Sequence, residues 1–495
     1  MPSYPSETTT DFKLPPGRPP IGLKWRSSYW FVTFLVGLGV ATDLLVYSII
    51  IPVMPFQLQK LGYTGVSALS GWLLFAYSAG LVVATIPIAM FSERYNARRW
   101  PLIIGLLILV GSQIMLMEAP IYAVMCIARI LQGVGSSMVW VVGLAFLCDS
   151  TPEQFVGRQL GLAMAGLSIG VVIGPPVGGA LYSRFGFRGP FIFGLGATVI
   201  DLLARIVAIE RNEALRWGLD PWRLAPMALA TGDAEAAQGE KSTEAAKEPS
   251  SEKKSEVNLS ASPITGEASV VQEKRKPLSL LAVIIKLSKS PRAVVASIIT
   301  LLYGIIYTSQ EPAIPLHLQS VWGFNSEKVG LVFLAAVVPT IFSSSLSGWY
   351  ADHKGPEWLV FGCTLLALPW WVVVIIRGPV ALFIVAFAIE MFFTSGILSP
   401  LTAELAAVSR GIEGVGYAHV YGAFNLAYGI GSAVGPVAGG QIYDHVKHGW
   451  TALCLLAAGL LAASLVLGFF YVGANPLSSR LTRYLRRASR TEVPE

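Results

Sequence analysis

Apolar residues in this chain do not alternate with polar ones. They run in long blocks separated by short polar stretches, and a block of roughly 20 apolar residues is what a helix needs to cross a bilayer core. Such blocks fall at 29–54, 68–91, 101–118, 120–146, 160–183, 189–209, 293–316, 327–349, 357–376, 379–402, 417–442 and 450–473. Lipid offers no water to backbone groups, so each block is expected as a helix that satisfies its own amides. The predicted fold class is an all-α membrane protein of twelve transmembrane helices.

Composition agrees with that pattern. Of 495 residues, 54% are hydrophobic and 13% charged, and the mean hydropathy is +0.60, far above an average soluble domain. Residues 1–28 are polar, basic and Pro-rich and run into the first block, so that block is expected to act as the insertion signal, with no cleavable leader. Cys126, Cys148, Cys363 and Cys454 fall in or at the ends of spans without metal-ligand spacing, and free buried thiols are expected.

The net charge of +6 could point to nucleic acid, but its placement argues for a membrane. With a cytoplasmic N-terminus, 28 of the 36 Lys and Arg lie on cytoplasmic segments, six on outer loops, and two, Arg129 and Arg205, inside spans. That asymmetry obeys the positive-inside rule and puts both termini in the cytosol. The tail carrying Arg480, Arg483, Arg486, Arg487 and Arg490 then suits anionic headgroups, with a trafficking signal as the other reading.

Between the sixth and seventh spans the composition changes. Residues 231–277 are rich in Ala, Glu, Lys and Ser and nearly free of aromatics, too polar to fold alone. The division expected is an N-terminal tail at 1–28, a six-helix bundle at 29–210, a largely disordered cytoplasmic linker at 211–290, a second six-helix bundle at 291–474, and a basic tail at 475–495.

The two bundles repeat each other. Tyr47, Pro52, Pro55, Leu58 and Gln59 recur at an offset of 260 as Tyr307, Pro312, Pro315, Leu318 and Gln319. In the fifth span, Gly161, Gly170, Gly174, Pro175, Gly178 and Gly179 recur at an offset of 261 as Gly422, Gly431, Gly435, Pro436, Gly439 and Gly440. Two like-oriented halves imply a pseudo-two-fold axis along the membrane normal and a cavity that rocking exposes to either side in turn.

With these motifs the chain resembles the major facilitator superfamily over nearly its whole length, and within it the drug:proton antiporters of twelve spans, in the vesicular amine transporter-like branch with its fungal members. The fifth-span glycine series matches that group's antiporter signature. Gly170, Gly174 and Gly178 share one helical face on which a neighbour can approach closely, and Pro175 removes a backbone hydrogen bond. These residues suit a gating hinge or a static packing groove. The family's cytoplasmic motif survives in altered form as Ala89, Glu93, Arg94, Asn96, Arg98 and Arg99, with Gly348, Asp352, His353 and Gly355 in the second half. Glu93, Arg94, Arg98, Arg99 and Asp352 are candidates for a clasp that holds the outward-open state, or for topology-setting charge.

The membrane-embedded ionisable residues carry the candidate chemistry. Arg129, followed by Gln132 and Gly133, is similar to the family's fourth-span motif, and a cation in a bilayer core must face a cavity or a counter-ion. Asp43, nine residues before Pro52, is expected as its partner. The resemblance implies that Asp43 contributes to cation binding and proton coupling, and that Glu311, in Glu311-Pro312-Ala313-Ile314-Pro315, lines the central site. Glu390 and Asp201 are further embedded acids, the latter within one turn of Arg205. Asn425 and Ser395 stand where the amine-transporting relatives place acids, which argues against a simple monoamine site. Tyr47, Tyr307, Phe424 and Tyr428 can line an apolar pocket for flat or amphipathic molecules or serve ordinary packing.

A proton antiporter needs a carboxylate that desolvation disposes to take a proton and an approaching cation disposes to give it up. The resulting expectation is proton-coupled export of a drug, toxin or secondary metabolite by alternating access, with Asp43 and Glu311 as proton-binding groups. Partners are the small-molecule substrate, protons and membrane lipid, with no nucleic acid, and the chain is expected to be monomeric. The proton gradient replaces any cofactor, and no metal site is expected. The plasma membrane is the expected location, with a vacuolar or vesicular membrane as alternatives. Two other readings are a vesicular or vacuolar amine transporter and a non-transporting sensor on the same scaffold. An enzyme is not expected, since the spans hold no His cluster, metal-ligand set or nucleophile–base pairing.

Overall fold

The computed structural model describes residues 19–95, 98–152, 155–219, 285–410 and 417–483. Most of the linker expected at 211–290, and the extreme termini, lie outside the described residues. Long helices occupy the predicted blocks, and no strand occurs among the described residues. They are α1 Tyr29–Ser48, α2 Val66–Tyr95, α3 Arg99–Met117, α4 Tyr122–Ser150, α5 Val156–Phe185 and α6 Arg188–Val207. After the linker come α7 Pro291–Ser309, α8 Ser326–Lys354, α9 Pro356–Val373, α10 Val380–Ser395, α11 Tyr417–His445 and α12 Gly449–Tyr471. Taken with the continuations of α7 to Trp322 and of α10 to Ser409, eleven of them meet the length and apolarity of a membrane crossing among the described residues. α11, 29 residues long, completes the twelve-helix set.

Two spans break in the same way because the same prolines recur. α1 stops at Ser48, and after a turn holding Pro52 a short helix runs over Met54–Lys60. α7 stops at Ser309, and after a turn holding Pro312 a second segment runs over Ile314–Trp322. Proline lacks the amide hydrogen that would continue the helix, so turn-type bonds such as Ala313 N–H to the Gln310 carbonyl at 3.1 Å take over. The break puts Glu311 on non-helical backbone at membrane depth, an arrangement tolerated only inside protein. The Leu398–Arg410 helix extends α10 in like manner beyond a turn at Gly396 and Ile397.

Within each half the glycine series does the packing. Gly170, Gly174 and Gly178 of α5 lie on the backbone of α1 from Ala41 to Ile49. Gly431, Gly435 and Gly439 of α11 lie on α7 from Leu301 to Ser309. None of the six has room for a side chain, which is how small residues let two helices close up without a hydrophobic driving force.

Chain direction defines two ends of the bundle: the terminal end, where α1 begins and α12 finishes, and the distal end opposite. Across the halves α2 packs on α11 and α5 on α8. At the distal end Ile50, Met54 and Leu58 of the first half share a buried cluster with Leu316 of the second. A larger apolar core fills the second half, including Phe387, Trp371 and Phe424.

Candidate functional site

The centre of the bundle is built from α1, α2, α4 and α7. Asp43, 1% exposed, has one carboxylate oxygen, Oδ2, that accepts from Ser136 Oγ at 2.7 Å, Trp140 Nε1 at 2.8 Å and Tyr77 OH at 3.1 Å. Arg129, fully buried, donates to Gln132 Oε1 at 2.5 Å and to the Leu73 carbonyl at 3.3 Å. Its guanidinium lies over the rings of Tyr77 at 4.7 Å and Tyr47 at 5.6 Å, a cation–π geometry.

The expected Asp43–Arg129 ion pair is therefore corrected: no ion pair joins them among the described residues, and Tyr77 bridges them instead. Three neutral donors fill the Asp43 oxygen that faces α4, while a carbonyl, an amide oxygen and two ring faces receive the cation. The sequence reading missed Tyr77, Ser136 and Trp140. A signal for two of them existed, since Arg129, Gln132, Ser136 and Trp140 recur at helical spacing on one face.

Glu311 enters from the second half. Its Oε2 accepts from Tyr47 OH at 2.6 Å, and the Tyr47 and Tyr77 rings meet at 4.9 Å. Tyr307, one turn before Glu311, stacks on Tyr303 at 5.9 Å, and Tyr303 lies 6.1 Å from Tyr428. Tyr77 and Tyr47 thus join Asp43 and Arg129 to Glu311, and Tyr303, Tyr307 and Tyr428 form a second ring cluster in the other half. Glu390 on α10 is 1% exposed. It takes a long bond of 3.4 Å from Thr394 and lies within electrostatic reach of Tyr303 and Tyr307. Among the described residues, Asp43 Oδ1, Arg129 Nη2, Gln310 Nε2 and Glu390 Oε2 are buried without a hydrogen-bond partner. Unmet polar groups of this kind are costly: the two carboxylate oxygens can accept a proton or a hydrogen bond, and the two N–H groups can donate to water or a polar ligand.

The other sequence candidates lie elsewhere. Asp201 pairs with Arg205 at 3.2 Å, and Arg205 reaches the Leu35 carbonyl on α1 at 2.9 Å; this pair knits α6 to α1, away from Glu311. Asn425 is half-buried on α11, one turn before Tyr428, and Phe424 is buried in the second-half core. Gly161 faces open space and has no packing role. The surroundings of Gly422 lie outside what is described.

The halves meet at the distal end. Ser326 Oγ donates to the Gly179 carbonyl at 3.2 Å, and Ser67 Oγ to the Pro312 carbonyl at 3.2 Å. Asp444 accepts from the Ala68 amide at 2.7 Å. Gln59 Nε2 donates to Gln319 Oε1 at 2.9 Å; because the two are repeat mates, they mark the pseudo-two-fold axis. Gly179 and Gly440 abut the backbone of α8 and α2 across the interface, and Gly330 and Gly71 abut Pro175 and Pro436. The Ser67–Gly71 and Ser326–Gly330 pairs also went unread in the sequence, though their shared Ser-x-x-x-Gly spacing was there to find.

At the terminal end the basic motif engages its own half. Arg98 pairs with Asp149 at 2.8 Å. The amides of Arg98 and Arg99 donate to Glu210 Oε1 at 3.3 and 2.6 Å, and Arg99 reaches the Ile206 carbonyl at 2.6 Å. In the second half Arg292 holds Glu404 at 2.8 Å and Arg480 holds Glu357 at 3.4 Å. In this conformation, which is closed at the distal end, Arg98 and Arg99 therefore bond within the first half, and the cross-half contacts seen lie at mid-depth and at the distal end. The side chains of Glu93, Arg94 and Asp352 lie outside the described residues.

A family model described as "Major Facilitator Superfamily" matches residues 25–294 and 296–492. The MFS-type transporter ppzB of Metarhizium rileyi is 24% identical, with 93% of this chain and 99% of that protein covered. The synaptic vesicular amine transporter of Homo sapiens is 26% identical, with 79% and 65% covered. Among solved structures, a D-xylose–proton symporter superposes with a TM-score of 0.62 at 13% identity, covering 90% of this chain and 97% of that one. A bacterial homologue of the human lysosomal transporter Spinster, in an inward-facing and unoccupied conformation, gives 0.59 at 15% identity, covering 89% and 94%.

Proposed function

The chain belongs to the Major Facilitator Superfamily, and from that premise we propose that it exchanges protons for a small organic molecule, exporting a drug, toxin or secondary metabolite across the plasma membrane by alternating access. Asp43 and Glu311 carry the protons, Arg129 sets the field between them, and the tyrosines contact the substrate. The observation that supports this most directly is the buried polar centre drawn from both halves, in which Tyr47 and Tyr77 link Glu311 to Asp43. Ionisable groups at membrane depth are expensive and are retained for work on ions or solutes. With the distal end closed, the conformation suits a site reached from the terminal end, the cytoplasmic side in this reading.

A vacuolar or vesicular amine transporter is the second reading, favoured by the names of the vesicular relatives and by Asp43 and Glu311. Asn425 and Ser395, in place of acids, weigh against it.

Gene deletion followed by profiling of compounds that build up in the cell identifies the substrate, which is then offered to proteoliposomes under an imposed pH gradient. Accumulation that collapses with a protonophore supports antiport. Intact proton-driven transport in both Asp43→Asn and Glu311→Gln would falsify it, and ligand-dependent signalling without flux would favour a sensor.

A further inference from the structure

Among the described residues, the Tyr47 hydroxyl is the one hydrogen-bond donor on the Glu311 carboxylate, at 2.6 Å. The bond joins α1 of the first half to the broken span of the second. Among the described residues it is the one bond between side chains of the two halves at mid-depth, where Ser78 Oγ of α2 also donates to the Ser432 carbonyl of α11 at 3.3 Å. Four groups stand around Glu311: Tyr47 from α1, Arg129 from α4, Tyr307 from α7 and Tyr428 from α11. The repeat mate of Tyr47 is Tyr307, which stacks within its own half on Tyr303 and makes no such bond among the described residues. Duplication therefore supplied two equivalent tyrosines, and one of them became a link across the interface.

We propose that Tyr47 is the coupling latch of the transporter, a positioning residue that holds the halves together whenever Glu311 is ionised and empty. This rests on the proton-antiport reading above. A phenol donating to a carboxylate forms a charge-assisted hydrogen bond, stronger than one to a neutral acid. Parting the halves at this depth breaks that bond. With Glu311 ionised, separation strands a bare carboxylate in a low-dielectric site, whereas a protonated Glu311 loses only a weaker bond. A substrate group that takes the place of the phenol releases the latch in the same way. Antiport requires this rule: the carrier with proton or substrate may change face, and the empty ionised carrier may not.

The placement of the Tyr47 ring fits that role. It contacts Tyr77 at 4.9 Å, whose hydroxyl reaches Asp43, and both rings lie under the Arg129 guanidinium. Movement of Tyr47 away from Glu311 therefore disturbs the cation and the second acid together, which would let the halves respond as one unit.

The test needs only protons as ligand. Spin labels at Lys60→Cys and Ser320→Cys, exposed repeat mates beside the Gln59–Gln319 contact, report distal separation in nanodiscs by pulsed dipolar spectroscopy, with the native cysteines replaced. Expected for the parent is one short distance at high pH and a longer population that grows on acidification. Tyr47→Phe is expected to raise the long-distance population at high pH at least fivefold. Glu311→Gln is expected to remove the pH response, and adding Tyr47→Phe to it to change nothing further. If both Glu311→Gln and Asp43→Asn keep the parent's pH response, the antiport reading itself fails; if Glu311→Gln keeps it and Asp43→Asn loses it, the latch fails and antiport stands. If Glu311→Gln abolishes the response while Tyr47→Phe matches the parent, the latch alone fails. If Tyr47→Phe does not fold, the glutamine background decides: an effect of Tyr47→Phe there shows a structural role and overturns the proposal.

Discussion

The two halves of this transporter share a backbone plan and differ in how they treat charge. α5 lies on α1 through Gly170, Gly174 and Gly178, and α11 lies on α7 through Gly431, Gly435 and Gly439, in the same register. Inside that common frame the first half holds Asp43 with three donors on one oxygen and Arg129 with two acceptors and two rings. The second half has Tyr303 at the repeat position of Asp43. Its own acids are lightly held, Glu311 by one phenol from the other half and Glu390 by one long bond. Packing survived duplication because two helices in close contact tolerate only glycine, whereas ionisable positions were free to diverge. The lesson is one of restraint: the first half fixes Asp43 and Arg129 by several partners each, whereas Glu311 and Glu390 of the second half have one hydrogen bond apiece. In the proposed antiport Arg129 is the fixed reference charge between the two proton-binding acids.

Six substitutions, in three groups, would break or sharpen that contrast. The largest effect is expected from Arg129→Leu, which removes the cation shared by Tyr47 and Tyr77. Proton-driven uptake in proteoliposomes is expected to fall a hundredfold or more, about 2.7 kcal/mol in barrier terms, and retention of half the activity would end the claim that the first half supplies the reference charge.

Next comes a split between stability and transport at the two acids. Asp43→Asn turns an amide toward three donors and is expected to cost about 1–3 kcal/mol of folding stability. Glu311→Gln, with one donor to disappoint, should cost under about 1 kcal/mol. Thermal unfolding in detergent measures both, and equal losses would show that the halves hold their acids alike.

The smallest effect concerns the frame. Gly179→Val and Gly440→Val place a branched side chain against the backbone of the opposite half, and each is expected to lower accumulation about tenfold, roughly 1.4 kcal/mol, and to the same extent. Gly161→Ala, beside open space, should leave uptake unchanged and raise stability by about 0.5–1 kcal/mol, the helix-propensity difference. Unequal responses at Gly179 and Gly440 would mean that the distal seal is not symmetric.

Particular residues show how much was legible beforehand. Twelve helices followed from apolar block length, because a bilayer sets that length directly. The duplication followed from Gly and Pro spacing, since those residues mark close approach and breaks whatever surrounds them. The burial of Asp43, Arg129 and Glu311 followed from their place within spans, since a charge there needs shelter from lipid. Partner choice did not follow: Asp43 and Arg129 looked complementary along the sequence, yet Tyr77, more than thirty positions from Asp43, takes both.

Sequence alone therefore determined depth in the membrane, the number and order of spans and the repeat, because each is a local property of composition and spacing. Only the tertiary structure decided which donors meet which acids, that Tyr47 and not Tyr307 crosses between the halves, and that Arg98 and Arg99 bind within their own half. A hydrogen bond requires its partners within about 3 Å, and which residues of different helices come that close is set by how the helices rotate and pack, information that no single span contains.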